Sequence, residues 1–217
     1  MKIILLILTF AVSGLSYSQS LNHGNSSGLK NKDYLKQMNN KDYLKQLDNQ
    51  VFVSYNYIRN LGQFGDKYDY GSGVLLNYGK YFPNSWLAVL RIGYMTHELR
   101  AGVDSGYADF KVYPVHIGGR YYVYKNIVMP YFSFMNGINL ITNNNYLAGG
   151  QDDQFLIKYA FQVGFGFDVK FARNVGINFN INYNNSFYQN GDSYIDQPSA
   201  MMTGFEYSGG VSYDFGR

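Results

Sequence analysis

The sequence predicts an all-β chain: eight antiparallel strands in up-and-down order, closed into a barrel that crosses a membrane, with short turns at one end and longer loops at the other. Three observations carry this reading. Of 217 residues only 15% are charged while 18% are aromatic, 23 of them Tyr, against roughly 25% charge in an ordinary soluble domain. From about residue 50 onward apolar and polar residues alternate with a period of two, the pattern of a strand whose faces meet different surroundings. Between these segments, tight and long connections alternate strictly, which in a meander gathers all long loops at one end.

Composition also excludes other classes. A mean hydropathy of −0.26 is too low for a bundle of membrane helices, and past the N-terminus no apolar run approaches the ~20 residues a spanning helix needs. The absence of Cys removes disulfide scaffolds, thiolate catalysis and Cys-based zinc sites. A scattered net charge of +3 gives no footprint for nucleic acid.

Taken in order, the chain opens on a targeting segment. Lys2 precedes the apolar run 3–12, and small polar residues follow, with Ser16 and Ser18 suiting a signal-peptidase site before Gln19. Residues 1–18 therefore read as a secretory signal peptide; the run is too short for a membrane anchor. Residues 19–49 form a polar periplasmic leader containing a duplication: 31–37 and 40–46 both read Asn-Lys-Asp-Tyr-Leu-Lys-Gln, nine residues apart. Tyr34, Leu35, Met38, Tyr43, Leu44 and Leu47 suit one helical face, so the leader is either a weakly helical, mobile stretch or an amphipathic docking segment.

The barrel domain occupies 50–217, with strands over 50–58, 68–82, 85–98, 109–124, 127–141, 155–171, 174–187 and 202–215. The sixth shows the pattern best. Ile157, Tyr159, Phe161, Val163, Phe165, Phe167 and Val169 share one face, and Lys158, Ala160, Gln162, Gly164, Gly166, Asp168 and Lys170 the other. The seventh sets Val175, Ile177, Phe179, Ile181 and Tyr183 against Gly176, Asn178, Asn180, Asn182 and Asn184. Tight turns fall at Pro83-Asn84, Lys125-Asn126 and 172–174, and longer polar loops at 59–67, 99–108, 142–154 and 188–201. That is the layout of an outer-membrane barrel with periplasmic turns and extracellular loops.

Membrane physics leads to the same architecture. Hydrocarbon offers backbone groups no partner, so β-structure crosses it only as a closed barrel. The Ile, Val, Phe and Tyr face then meets lipid, and the Gly, Asn, Ser and Gln face fills an interior just wide enough for side chains. Tyr81, Phe82, Trp86, Tyr121, Tyr124, Phe171, Tyr213 and Phe215 are candidates for the periplasmic aromatic girdle. A soluble barrel would need a charged exterior, which the Gly and Asn faces of the sixth and seventh strands do not provide.

The last strand carries a polar residue, a Gly two places on, and two aromatics separated by one residue, filled by Ser208, Gly210, Tyr213 and Phe215. This resembles the assembly signal of outer-membrane proteins, although Gly216 and Arg217 follow the final aromatic. The region 50–217 resembles the small eight-stranded outer-membrane β-barrel family, and its Asn, Tyr and Lys usage is similar to that of Bacteroidetes members. The resemblance implies residence in the bacterial outer membrane, contact with its lipid and lipopolysaccharide, and insertion by the outer-membrane assembly machinery.

Candidate chemistry is sparse. The predicted inner face carries Arg91, His116, Arg120, Lys158, Asp168, Lys170 and Glu206. A buried charge must be paired, so these residues favour an internal ion-pair network, with Glu206 the carboxylate for Arg91, Arg120 or Lys158; the other reading is a narrow ion path or a proton-sensitive element at His116. The resemblance brings in lipid A deacylases and palmitoyl transferases built on this scaffold. However, His97 and Glu98 are adjacent in a strand and face opposite ways, His116 is followed by Ile117-Gly118 rather than a Ser two places on, and His23 lies in the leader. No catalytic constellation is expected. No metal site or cofactor is expected either: Asp152-Asp153 stands alone, Asp104, Asp109, Asp192 and Asp196 are loop carboxylates that could at most join bridging cations, and Gly164 and Gly166 are strand residues rather than a phosphate cradle. The expected role is structural or interactive, through surface loops or a partner complex, with a porin-like narrow pore and an accessory barrel of a secretion or assembly machine as alternatives.

Overall fold

The computed structural model describes residues 48–102, 109–143, 154–172, 174–187 and 201–216. The segment expected to be a signal peptide, the duplicated stretch up to residue 47, Asp104, Asp152-Asp153, Asp192 and Asp196 lie outside them.

Eight strands form one closed antiparallel barrel: β1 (Asn49–Leu61), β2 (Tyr70–Phe82), β3 (Trp86–His97), β4 (Phe110–Tyr122), β5 (Val128–Asn143), β6 (Gln154–Lys170), β7 (Val175–Phe187) and β8 (Met201–Phe215). Each pairs with its sequence neighbour, and β1 closes against β8 from Asn49 opposite Phe215 to Leu61 opposite Thr203. Closure is what gives every strand edge a partner. The all-β, up-and-down fold class read from the sequence is the one observed.

Alternation sets the two faces. On β6 the odd residues Tyr159, Val163, Phe165 and Phe167 are exposed, while Lys158, Ala160, Gln162, Asp168 and Lys170 are buried. The same outward row continues around the barrel through Leu90, Ile117, Phe132, Phe179 and Tyr207, giving a continuous apolar exterior. Among the girdle candidates, Phe82, Trp86, Tyr121, Tyr124, Phe171, Tyr213 and Phe215 are exposed at the turn end.

Three expectations need correction. Tyr81 faces the interior rather than the girdle, because it shares the inward parity of Asn77 and Gly79 on β2. The interior is not restricted to small and polar residues: Phe52, Leu75, Leu87, Val89, Met95, Tyr122, Met129, Tyr131 and Met135 are buried. The loop expected over 59–67 is partly regular, since β1 runs on to Leu61 and a short helix, α1 (Gly62–Lys67), follows.

Candidate functional site: the charged lumen

The inward positions of β1 to β8 converge on the barrel axis, and three charged clusters are stacked along it. The middle one is centred on Arg91 of β3. Its Nε donates to Asn77 Oδ1 at 2.9 Å, and its Nη1 donates to Gln162 Oε1 at 2.5 Å and to Glu206 Oε1 at 3.2 Å. Glu206 also accepts from Gln162 Nε2 at 3.0 Å and Asn182 Nδ2 at 3.2 Å. Both charged side chains are almost wholly buried. A carboxylate with three donors and a guanidinium with three acceptors meet the condition under which a buried pair is tolerated.

Nearer the turn end, Arg120 of β4 lies 3.6 Å from Asp168 Oδ1 of β6. Its guanidinium is sandwiched between two aromatic rings, 4.1 Å from the Phe52 centroid and 4.4 Å from that of Tyr131. This accounts for two of the large side chains in the polar lumen, Phe52 and Tyr131: their rings cover the cation with their negative faces where water cannot reach it. Asp168 accepts from the Tyr122 hydroxyl at 2.6 Å and from Asn178 Nδ2, which also donates to the Tyr131 hydroxyl at 2.8 Å. The third cluster lies at the turn end itself, where Lys170 of β6 is paired with Asp214 of β8. Asp214 Oδ1 accepts from Gln50 Nε2 at 3.1 Å and from the Tyr81 hydroxyl at 3.3 Å.

Toward the loop end, His116 shares the Arg91 level, since the two residues are register partners on β3 and β4. Its Nε2 is 2.9 Å from Asn139 Oδ1, and Asn139 Nδ2 donates to Ser186 Oγ at 2.8 Å. Lys158 is buried on the inward face of β6. His97 Nδ1 lies 3.1 Å from Asn60 Nδ2. Glu98 faces outward and accepts from the Tyr70 hydroxyl at 2.5 Å.

Above this level the lumen is capped. Phe64 of α1 is buried, stacked on Tyr68 at 5.1 Å and set edge-on to the His97 ring at 5.6 Å. Ile58, Leu75, Met95, Val112, Ile141 and Met202 complete the apolar seal. Between the cap and the Arg91 level is a cavity of about 20 Å³ lined by Asn60, His97, His116, Asn139 and Glu206 among others, room for about one water.

The structure thus brings Arg91 to Glu206 and Arg120 to Asp168, and it adds a carboxylate that sequence reasoning missed, Asp214. Its signal was present, because the parity that turns Tyr213 and Phe215 outward turns Asp214 inward. Gln50, Asn77, Gln162, Asn178 and Asn182 were also missed as named partners, since which inward residues share a level depends on strand stagger. Among the described residues no cluster of three or more His, Asp or Glu suited to a metal ion occurs. Of the assembly-signal candidates, Tyr213 and Phe215 are outward on β8, Ser208 is inward and bonded to Asn180, and Gly210 packs against the β1 backbone at Val53 and Ser54.

The sequence matches no family model and no curated protein. Its fold resembles those of solved small barrels. Neisserial surface protein A is 17% identical with a TM-score of 0.56, the alignment covering 77% of this chain and 97% of that one. The outer membrane protein OprG from Pseudomonas aeruginosa is 15% identical with a TM-score of 0.54, over 79% and 98% of the two chains. The attachment invasion locus protein Ail of Yersinia pestis, solved in complex with the heparin analogue sucrose octasulfate, is 19% identical with a TM-score of 0.50, over 78% and 99%. At these identities the likeness is one of fold. A closed eight-stranded sheet with an apolar exterior and a polar, filled interior is built for hydrocarbon, and the chain has the fold of the small bacterial outer-membrane β-barrels.

Proposed function

We propose that this chain is a non-enzymatic, non-conducting barrel whose role is structural or interactive, exercised from its surfaces rather than through its lumen. The observation that carries this is the stack of Arg91–Glu206, Arg120–Asp168 and Lys170–Asp214 beneath the Phe64 cap. A solute would have to break three desolvated ion pairs in succession, each worth several kcal/mol once separated in a low-dielectric interior. In this reading Arg91, His116, Arg120, Lys158, Asp168, Lys170 and Glu206 belong to an interior network that holds the barrel rigid. Catalysis at the rim is disfavoured because His97 and Glu98 point to opposite faces.

The proposal extends to regions and partners inferred from sequence. Residues 1–18 act as a signal peptide and the leader follows in the periplasm. Ser208, Gly210, Tyr213 and Phe215 form the segment presented to the assembly machinery, lipopolysaccharide surrounds the loop end, and the chain is of a Bacteroidetes type. The loops 144–153 and 188–200, rich in Tyr, Asn, Gly and Asp, offer adaptable contacts to a partner.

Planar-bilayer recording of the refolded chain tests the core of this reading. No unitary conductance is expected, and steady channel openings in the wild type would overturn it. Affinity purification from native outer membrane, with and without the two loops, tests the interactive role; an unchanged set of bound proteins would remove it.

A further inference from the structure

The outer face of the barrel is not uniformly convex. Where β1, β8, β7 and β6 run side by side, one outward row reads Tyr55, Gly209, Phe179, Phe167, and the next row toward the loop end reads Tyr57, Tyr207, Ile181, Phe165. Gly209 therefore interrupts a wall of rings, and a groove of about 440 Å³ opens there, lined by Tyr55, Phe165, Phe167, Phe179, Ile181 and Tyr207. The rings of Phe167 and Phe179 pack 5.4 Å apart and form one side of it. A side chain at 209 would meet only the Phe179 ring, at 3.4 Å, so the backbone does not require glycine here. Contrast Gly210, where an added Cβ would lie 2.1 Å from the Val53 carbonyl oxygen.

Two features identify the occupant. The groove is continuous with the apolar exterior already described, so its surroundings are hydrocarbon, and the described outward positions of β6, β7 and β8 carry no charge. Among the described residues, the nearest outward cation by strand position is Arg59. It lies on β1 four residues beyond Tyr55 toward the loop end, roughly 13 Å along the strand at the usual rise, opposite Phe205. Arg59 is exposed and has no ion-pair partner among the described residues. An apolar slot with a fork-shaped, phosphate-matching cation above it on the extracellular side has the two-part chemistry of an acylated phosphate lipid.

We propose that this groove seats one acyl chain of lipid A from the extracellular leaflet, with a lipid A phosphate held on Arg59. The inference rests on the outer-membrane reading above. Within a bilayer the chain gains nothing from leaving water, so retention comes from close packing of the alkyl chain against the rings and from the charged hydrogen bond at Arg59.

The test uses the full mature chain, refolded into phosphatidylcholine vesicles doped with either lipid A or phosphatidylglycerol, then extracted and weighed by native mass spectrometry. The wild type should keep one lipid A and release phosphatidylglycerol. Gly209→Leu, which fills the slot, and Arg59→Gln, an exposed change that leaves the sheet untouched, should each lower lipid A retention about tenfold. Lys80→Gln, an exposed residue on the outer face at the turn end, should not. Equal retention by Gly209→Leu or Arg59→Gln, equal retention of phosphatidylglycerol, or a wild type that emerges as a lipid-free dimer would overturn the proposal. A wild type whose gel migration is the same boiled and unboiled would instead strike at the barrel reading itself.

Discussion

Arg91 on β3 and Glu206 on β8 meet across the lumen at 3.2 Å, with Gln162 of β6 bonded to both. Removing one partner leaves the other charge buried and uncompensated, whereas removing both leaves no buried charge and strands only the neutral amides of Asn77, Gln162 and Asn182. Glu206→Ala should therefore destabilise the barrel by roughly 3–5 kcal/mol, and the pair Arg91→Met with Glu206→Leu, which leaves no unpaired buried charge, should lose clearly less. Urea unfolding in phospholipid vesicles reads both; equal losses for the single and the double variant would contradict the ion-pair account.

Neighbouring glycines on β8 should behave oppositely. A Cβ at Gly210 would lie 2.1 Å from Val53 O across the β1–β8 seam, while one at Gly209 meets only a ring at ordinary contact distance. Gly210→Val should block closure and abolish the heat-modifiable band in detergent gels, while Gly209→Val should keep it.

Outward and inward parity can be tested at one step of β5. Phe132 is 63% exposed, and the next residue, Ser133, is buried and donates to Asn182 Oδ1 at 2.8 Å. If Phe132 faces hydrocarbon, Phe132→Arg should cost about 2–4 kcal/mol in a bilayer, as expected for a charge near the midplane. A cost near zero in vesicle unfolding would mean that this face meets water.

At the loop end, Phe64 anchors α1 in the mouth. Phe64→Ala should release that cap at a cost of about 3–5 kcal/mol. Hydrogen exchange should then show rapid labelling of residues 62–68 with the strand amides still protected. Unchanged protection at Tyr68, whose N–H donates to Phe64 O at 2.9 Å, would show that the cap is held by other contacts.

Strand positions and facing were legible because lipid and lumen impose opposite demands on successive residues, so Phe165 and Gln162 declare their sides without any knowledge of neighbours. Pairing was not legible. Lys170 and Asp214 are 44 residues apart by their numbers, and nothing local says that stagger sets β6 and β8 at the same height. Tyr81 was misread because an aromatic near a turn suits the girdle by composition, while its inward parity and the Asp214 carboxylate decide otherwise. The helix Gly62–Lys67 escaped notice because it has two Gly in six residues and no side-chain cap; its stability comes from Phe64 entering the lumen, a tertiary effect.

Two of the three lumenal ion pairs draw their acid from β8: Glu206 for Arg91 and Asp214 for Lys170. The strand that closes the hydrogen-bonded sheet against β1 is thus also the counterion supply for its inside. Before it docks, Arg91 and Lys170 face a space with no matching negative charge, and a seven-stranded intermediate is penalised electrostatically as well as by its open edges. Sealing the β1–β8 seam and neutralising Arg91 and Lys170 are therefore the work of one strand.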